Sequence, residues 1–314
     1  MTDVTSDAAL FDVAEPDPVT LADKFGVPPF SVFDGRSGVW QDRKRRWLRT
    51  GVQSELGRMD DLLGMGAGRN DPVSLKLTQA GSASIFDPVL CELAYRWFSP
   101  PGARVLDPFA GGSVRGVTAS ILGRHYLGVD IRPEQVAANE AQSHIGTGPR
   151  PDWVVGDSSD LDVILDPSRR FDFVFTCPPY ADLEVYSDDP GDLSTMDYAT
   201  FLTAHRDIIA QSVARLRRDR FAVWVISDVR DPRTGSYRGL VHETVGAFMD
   251  AGAALHNDIV YLNAAATAGL RAERPFEATR KVVRVHQHAL VFVKGSAARA
   301  AAYCKGDNAT WRRP

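Results

Sequence analysis

A chain of 314 residues, 44% hydrophobic and 24% charged, is long enough for one sizeable core with a small appendage and is ordinary for a globular protein. Its net charge of −4 excludes a global positive field, so any nucleic-acid binding must come from local patches. Three scattered cysteines, Cys91, Cys177 and Cys304, exclude a disulfide scaffold or zinc ribbon, and no apolar run is long enough for a membrane span.

Residues 1–23 carry six acidic and no basic side chains, with Pro16 and Pro18, and are expected to be a disordered acidic tail, neither signal nor transit peptide. The expected setting is therefore the cytoplasm. Residues 24–80 form a Trp- and Arg-rich segment with one helix expected over Gln41–Trp47 and a Gly-rich loop over 64–72. Its basic run, Arg43-Lys44-Arg45-Arg46 with Arg49, is either a DNA-contacting patch or a solvated face.

The main domain is expected over 81–295. A helix over Pro88–Phe98 ends at Pro100-Pro101-Gly102, a strand follows over Arg104–Leu106, and a helix over Ser113–Leu122. A strand over His125–Val129, a helix over Pro133–Gln142 and strands at Trp153–Val155 and Phe171–Phe175 come next. A long amphipathic helix over Asp197–Arg217 leads into the apolar strand Phe221–Ile226, and a helix spans Gly239–Ala251. Strands at Asp258–Leu262 and Ala289–Val293 are expected to form an antiparallel closing hairpin. Between them residues 264–280 make a long loop whose basic residues include Arg271, Arg274 and Arg280, a candidate for groove or phosphate contact. Residues 296–314 are expected to be a C-terminal tail. Strands alternating with helices imply a doubly wound, mainly parallel α/β sheet, whose right-handed crossovers put every parallel strand's carboxyl end on one ligand-binding edge.

Three acids close three successive strands. Asp107-Pro108-Phe109-Ala110-Gly111-Gly112-Ser113 follows the first, where glycines admit close backbone approach and the acid suits an ammonium better than a phosphate. Asp130, 23 residues on, is placed to accept ribose hydroxyls, and Asp157-Ser158 to meet an adenine amino group. Each acid read alone is also a plausible helix cap. The fourth strand runs into Cys177-Pro178-Pro179-Tyr180. Two prolines hold nearby carbonyls outward in a rigid turn, where they can accept from a ring amino group, and Tyr180 offers a face for a flipped base.

These two motifs, on strand ends of such a sheet, resemble the DNA amino-methyltransferases, with their Asp-Pro-Phe-x-Gly cofactor loop and Asp/Asn/Ser-Pro-Pro-Tyr/Phe catalytic turn. Lys24–Phe30, Trp40–Lys44, Gly112–Gly116, Arg280-Lys281 and His286-Gln287 extend the likeness to phage-encoded DNA methylases, over about residues 24–295. The resemblance implies a Rossmann-like class I methyltransferase fold, S-adenosylmethionine as cofactor, double-stranded DNA as partner, and a bacterial host cytosol if phage-encoded. It implies catalytic roles for Cys177, Pro178, Pro179 and Tyr180. It implies cofactor contacts at Phe86, Asp87, Asp107, Pro108, Phe109, Gly111, Gly112, Ser113, Asp130, Asp157 and Ser158. The two basic patches offer the expected DNA contacts, at Arg43, Lys44, Arg271, Arg274 and Arg280, and no metal is expected.

Cys177 departs from the family pattern. A thiol accepts hydrogen bonds poorly, so the carbonyls around Pro178 must carry the polarisation. A cysteine nucleophile for base-carbon methylation is disfavoured, since Cys177 precedes its prolines and no Glu-Asn-Val run follows. Open alternatives are an RNA or protein-glutamine amino-methyltransferase and an inactive DNA-binding relative. Cytosine N4 and adenine N6 both remain, with a small uncharged Cys177 nearer the serine of cytosine enzymes. The loop over 181–197, with Tyr186, is a lid over the base or a solvated linker, and Asp228 or Arg230 lines the base pocket or joins an internal ion pair. His286 and His288 share a strand face, with a core role preferred to metal ligation.

Overall fold

A computed structural model of the chain describes Leu21 and residues 25–53, 86–180, 191–263 and 268–305. Residues 30–308 make one compact unit; residues 1–29 and 309–314 are assigned to another, of which only Leu21 and residues 25–29 are described. Most of the expected acidic tail, the Gly-rich loop over 64–72 and Tyr186 lie outside the described residues.

Eight strands form one sheet: β1 (Val32–Asp34), β2 (Arg104–Asp107), β3 (His125–Asp130), β4 (Asp152–Val155), β5 (Phe171–Thr176), β6 (Leu216–Ile226), β7 (Ala254–Leu262) and β8 (His286–Lys294). Their order across the sheet is β1-β7-β8-β6-β5-β2-β3-β4. Strands β2 to β6 pair in parallel, and β8 runs antiparallel to both β6 and β7. A parallel sheet closed by an antiparallel hairpin is the Rossmann-like class I methyltransferase arrangement.

Helices cover both faces, and strand alternation shows how. On β5, Phe173 and Phe175 set their rings against Tyr95 of α2 (Pro88–Phe98), at 6.1 and 5.3 Å between centroids. Val174 points the other way, into a core with Phe201, Ile208 and Ile209 of α6 (Tyr198–Arg215) and Phe248 of α7 (Leu240–Asp250). With both faces covered, β5 is buried along its whole length, and it reads as the continuous apolar run such strands require. Helix α2 starts where Asp87 Oδ1 caps the Val89 amide at 2.9 Å and Pro88 takes the first turn. Helices α3 (Val114–Ile121), α4 (Pro133–Ala141) and the single turn α5 (Leu161–Ile164) complete the crossovers between β2 and β5.

Three expectations need correction. The Trp- and Arg-rich segment does more than carry a helix, here α1 (Gly38–Leu48): its Val32–Asp34 pairs in parallel with Val260–Leu262 and becomes the sheet's edge strand β1. The expected loop over 264–280 holds helix α8 (Ala268–Thr279), with Pro275 inside it and its end bonded from Arg280 N to the Phe276 carbonyl at 2.8 Å. Part of the expected tail is helix α9 (Ala297–Cys304). Asp219 anchors its start by accepting from the Ser296 amide at 2.7 Å and from Arg299 Nε at 2.6 Å. No helix among the described residues is long and apolar enough to cross a membrane.

Candidate active site

Parallel pairing aligns Asp107 with Gly128 and Asp130 with Val155, so the ends of β2, β3 and β4 share one edge, and Thr176 ends β5 beside them. Cross-bonds tie the loops there together. Thr176 Oγ1 donates to Asp107 Oδ1 at 2.5 Å, the Ala110 amide to the Val129 carbonyl at 2.8 Å, and Ser158 Oγ to the Pro108 carbonyl. Because β8 is antiparallel, its first residues arrive at this same edge, with Ile226 opposite His288.

The three acids do not share one environment. Asp107 is wholly buried and accepts from Phe109 N, Thr176 Oγ1, Tyr126 Oη at 2.7 Å and Arg115 Nε at 2.5 Å. Four internal donors fill its carboxylate, so the expectation that Asp107 meets an ammonium directly is corrected: it orders the loop instead. The Arg115 guanidinium also donates to the Phe109 and Ala110 carbonyls and lies over the Phe86 ring, 4.6 Å from its centroid.

Asp130 is nearly buried. Oδ2 accepts from the Gly111 amide at 2.9 Å, Oδ1 from the Arg132 amide at 3.0 Å, and burial raises its pKa against the pull of Arg132. Gly111 needs glycine's freedom, with φ at +49°. Asp157 is half-exposed. Its Oδ1 caps the Ser159 amide at 2.8 Å, and Oδ2 accepts nothing among the described residues. Ser113 Oγ is buried at the loop's end with no partner among them. Phe109 and Gly112 are half-buried and Pro108 is buried; Phe109 sets its ring edge-on to Trp224 at 5.9 Å.

At the turn after β5, Pro178 is buried, while Cys177, Pro179 and Tyr180 are partly open. Tyr180 Oη accepts from Gln287 Nε2 at 2.9 Å and lies 3.6 Å from Cys177 Sγ. Sequence reasoning quoted Gln287 only within a longer likeness and gave it no role; only the antiparallel register of β8 brings it here. Phe86 packs edge-on to Phe175 at 5.7 Å, just below the turn.

The remaining expected residues lie elsewhere. Asp87 is buried and spent on its helix cap, on Tyr261 Oη at 2.9 Å and on Lys44 Nζ at 3.1 Å. Arg43 is 2% exposed and holds Glu92 with two bonds of 2.6 and 2.7 Å, so its expected DNA contact is corrected to an interior ion pair. Arg274 and Arg280 are exposed on and beyond α8; the Arg271 side chain is outside the described residues. Asp228 Oδ1 caps α7 through the Gly239 and Leu240 amides, both at 3.0 Å. His288 Nδ1 contacts Asp258 Oδ1 at 2.8 Å. Among the described residues no group of three or more His, Cys, Asp or Glu is disposed to hold a metal.

No family model and no curated protein matches the chain. Among solved structures, TrmN from Thermus thermophilus is similar at a TM-score of 0.45 and 16% identity, over 72% of this chain and 55% of its own. The match thus spans about half the length of that protein. Magnesium protoporphyrin IX methyltransferase from Synechocystis PCC 6803, with bound SAH, is similar at 0.44 and 12%, over 81% and 95%. A methyltransferase from Pyrococcus furiosus is similar at 0.43 and 14%, over 67% and 84%. Strand order, rather than these likenesses, carries the fold.

Proposed function

We propose that the chain transfers a methyl group from S-adenosylmethionine to an exocyclic amino nitrogen of a DNA base, cytosine N4 or adenine N6. The observation that carries this reading is the Thr176–Asp107 hydrogen bond of 2.5 Å, which seats the Cys-Pro-Pro-Tyr turn directly against the Asp-Pro-Phe-Ala-Gly-Gly loop on one sheet edge. A nucleoside sulfonium and an extruded base need that proximity.

The residues present fit the cofactor. Asp130 retains lone pairs for ribose hydroxyls beyond its two amide bonds, and the second oxygen of Asp157 is open to an adenine amino group. The orphan Ser113 hydroxyl and the Gly111-Gly112 backbone offer polar partners at the amino-acid end, with Phe109 and Phe86 as apolar walls. When bound, the cofactor supplies an electrophilic methyl sulfonium.

The chain's own part is orientation and polarisation. Carbonyls of the rigid Cys177–Pro179 turn accept from the base amino group, which keeps electron density on nitrogen as it attacks. Tyr180 stacks on the flipped ring, and Gln287 holds the phenol so that its face stays put.

Purified protein incubated with labelled cofactor and unmethylated duplex DNA, followed by mass identification of the nucleosides, tests this. Methylated cytosine or adenine amino groups are expected in DNA. Tyr180→Ala should cut transfer by about 10- to 100-fold, in line with about 1–3 kcal/mol for a base stacked on an aromatic ring, and leave cofactor affinity intact. Label confined to RNA or protein, or cofactor binding without transfer, refutes the DNA reading, and undiminished transfer by Tyr180→Ala refutes the stacking role.

A further inference from the structure

Beyond β6 the chain makes a tight hairpin in which Arg230 and Tyr237 bridge, the Asp231 amide bonds the Ser236 carbonyl at 2.9 Å, and Asp228 pins the base of the turn to α7. Tyr237 projects from this rigid base with 40% of its surface exposed. Two guanidinium groups lie against its ring: Arg230 at 3.7 Å from the centroid and Arg284, arriving from the run into β8, at 4.7 Å. Arg230 Nη1 is tethered to the Gly235 carbonyl at 2.7 Å, and Arg284 Nε donates to Tyr237 Oη at 3.4 Å.

Among the described residues no carboxylate compensates the charges of this cluster directly, and the nearby Asp231 is engaged by Arg238 at 3.5 Å and Arg233 at 4.0 Å. Arg284 Nη1 is buried and finds no acceptor there either. Burial pushes the Tyr237 hydroxyl up, but the hydrogen bond from Arg284 and the two cationic charges outweigh it and leave the pKa below its ordinary value. Like charges gathered without a counter-ion repel one another, and an anion arriving from solvent relieves that cost. Planar guanidiniums suit phosphate oxygens.

Position supplies the ligand. Arg284 lies three residues before Gln287, about 10 Å along extended chain, and Gln287 holds the Tyr180 hydroxyl. We infer that Arg230, Tyr237 and Arg284 form a clamp for a backbone phosphate of the DNA strand that carries the target base, one or two nucleotides away from it. The inference rests on the function proposed above. Arg230 and Arg284 grip the phosphate, and Tyr237 is a positioning residue that keeps the two guanidiniums together.

The test is duplex-DNA affinity of the full chain over a salt series, for the wild type, the Arg230→Gln/Arg284→Gln double variant and Arg284→Gln alone, with cofactor affinity and thermal melting as checks on folding. The double variant should bind about 10-fold more weakly at low salt, with a log–log salt slope smaller by about 1 to 2. Arg284→Lys should keep most of the slope, and cofactor affinity should not change. An unchanged slope in both Gln variants overturns the clamp while methyl transfer to DNA still upholds the function. Loss of slope in the double variant, when the wild type binds DNA yet transfers nothing, upholds the phosphate clamp and overturns the function. A slope change seen with single-stranded RNA but not with duplex DNA overturns the clamp as stated.

Discussion

Protonation of one buried ring should make the fold acid-sensitive. His205, on α6, is wholly buried between Phe201, stacked at 5.4 Å, and Trp224, edge-on at 5.7 Å. Thr244 Oγ1 gives its own proton to the Leu240 carbonyl at 2.8 Å, so the 3.1 Å contact with His205 Nε2 must be an Nε2–H donation. Nδ1 is then a buried acceptor with no partner among the described residues. Charging the ring would bury a second N–H against nothing, close to Arg206; burial first and that cation second lower its pKa from 6.5 to about 3. Above 6.5 neither folded nor unfolded ring is charged and this contribution to stability is complete. As pH falls below 6.5 the unfolded chain takes up a proton that the folded chain refuses until about 3, so stability declines across that window. At about 1.4 kcal/mol per pH unit, acidification from neutrality to about pH 5 should cost about 2 kcal/mol through His205 alone. Urea unfolding of wild type and His205→Gln at both pH values isolates it, because the other six histidines of the seven cancel in the difference. Equal losses in the two proteins refute the reasoning. So would a wild-type His205 ring resonance that titrates with a midpoint near the ordinary histidine value, a measurement that needs no variant to fold.

Two further outcomes follow from the corrected and the retained site residues. Arg43→Ala removes both bidentate bonds to a buried Glu92, leaving it Trp47 Nε1 at 2.8 Å and Arg96 Nη1 at 3.4 Å. It should cost about 3 kcal/mol or more by chemical denaturation and leave the salt slope of DNA binding unchanged; a smaller slope would return Arg43 to the DNA. Burial raises the Asp130 carboxyl above 3.8, so it gains its proton at a less acidic pH than an ordinary aspartate. Calorimetric cofactor affinity should therefore decline with acidification from above 3.8 in the wild type, while Asp130→Asn starts weak and stays flat; parallel curves would remove Asp130 from the cofactor site.

Most of the sheet was legible because its physics is local. Helix α2 begins and ends where Asp87-Pro88 and Ser99-Pro100 dictate, and β5 and the Phe221–Ile226 part of β6 announce themselves as apolar runs between turns. Most of what escaped lacks a clear local signature. Three residues of β1 are too few for periodicity and are a strand only because β7 has an open edge. Helix α9 does carry a local sign, Ser296 capping the Arg299 amide ahead of an alanine run, and Asp219, some eighty residues away, fastens the same start. In α8, Gly269 and Pro275 read as breakers, yet the helix runs through both. Arg43 and Lys44 look alike as neighbours in a basic run, and only the packing of α1 on α2 sends one side chain inward to Glu92.

The site divides along the same line. Asp107, Asp130 and Asp157 give the same signal, an acid at a strand end, and the structure assigns them different work according to what comes from elsewhere. Arg115 from α3, Tyr126 from β3 and Thr176 from β5 converge on Asp107 and turn it inward, whereas among the described residues nothing comparable reaches the second oxygen of Asp157. A carboxylate and a guanidinium so deeply buried are costly to desolvate, and what they provide is position: the same guanidinium holds the Phe109 and Ala110 carbonyls, and the same carboxylate holds the strand that launches the proline turn. The loop and the turn are thus tied to each other by the chain's own side chains. On the function proposed above, rigidity is what a turn beginning with Cys177 needs, because a thiol would polarise an amino group poorly and the work would fall on carbonyls that act only if they do not move.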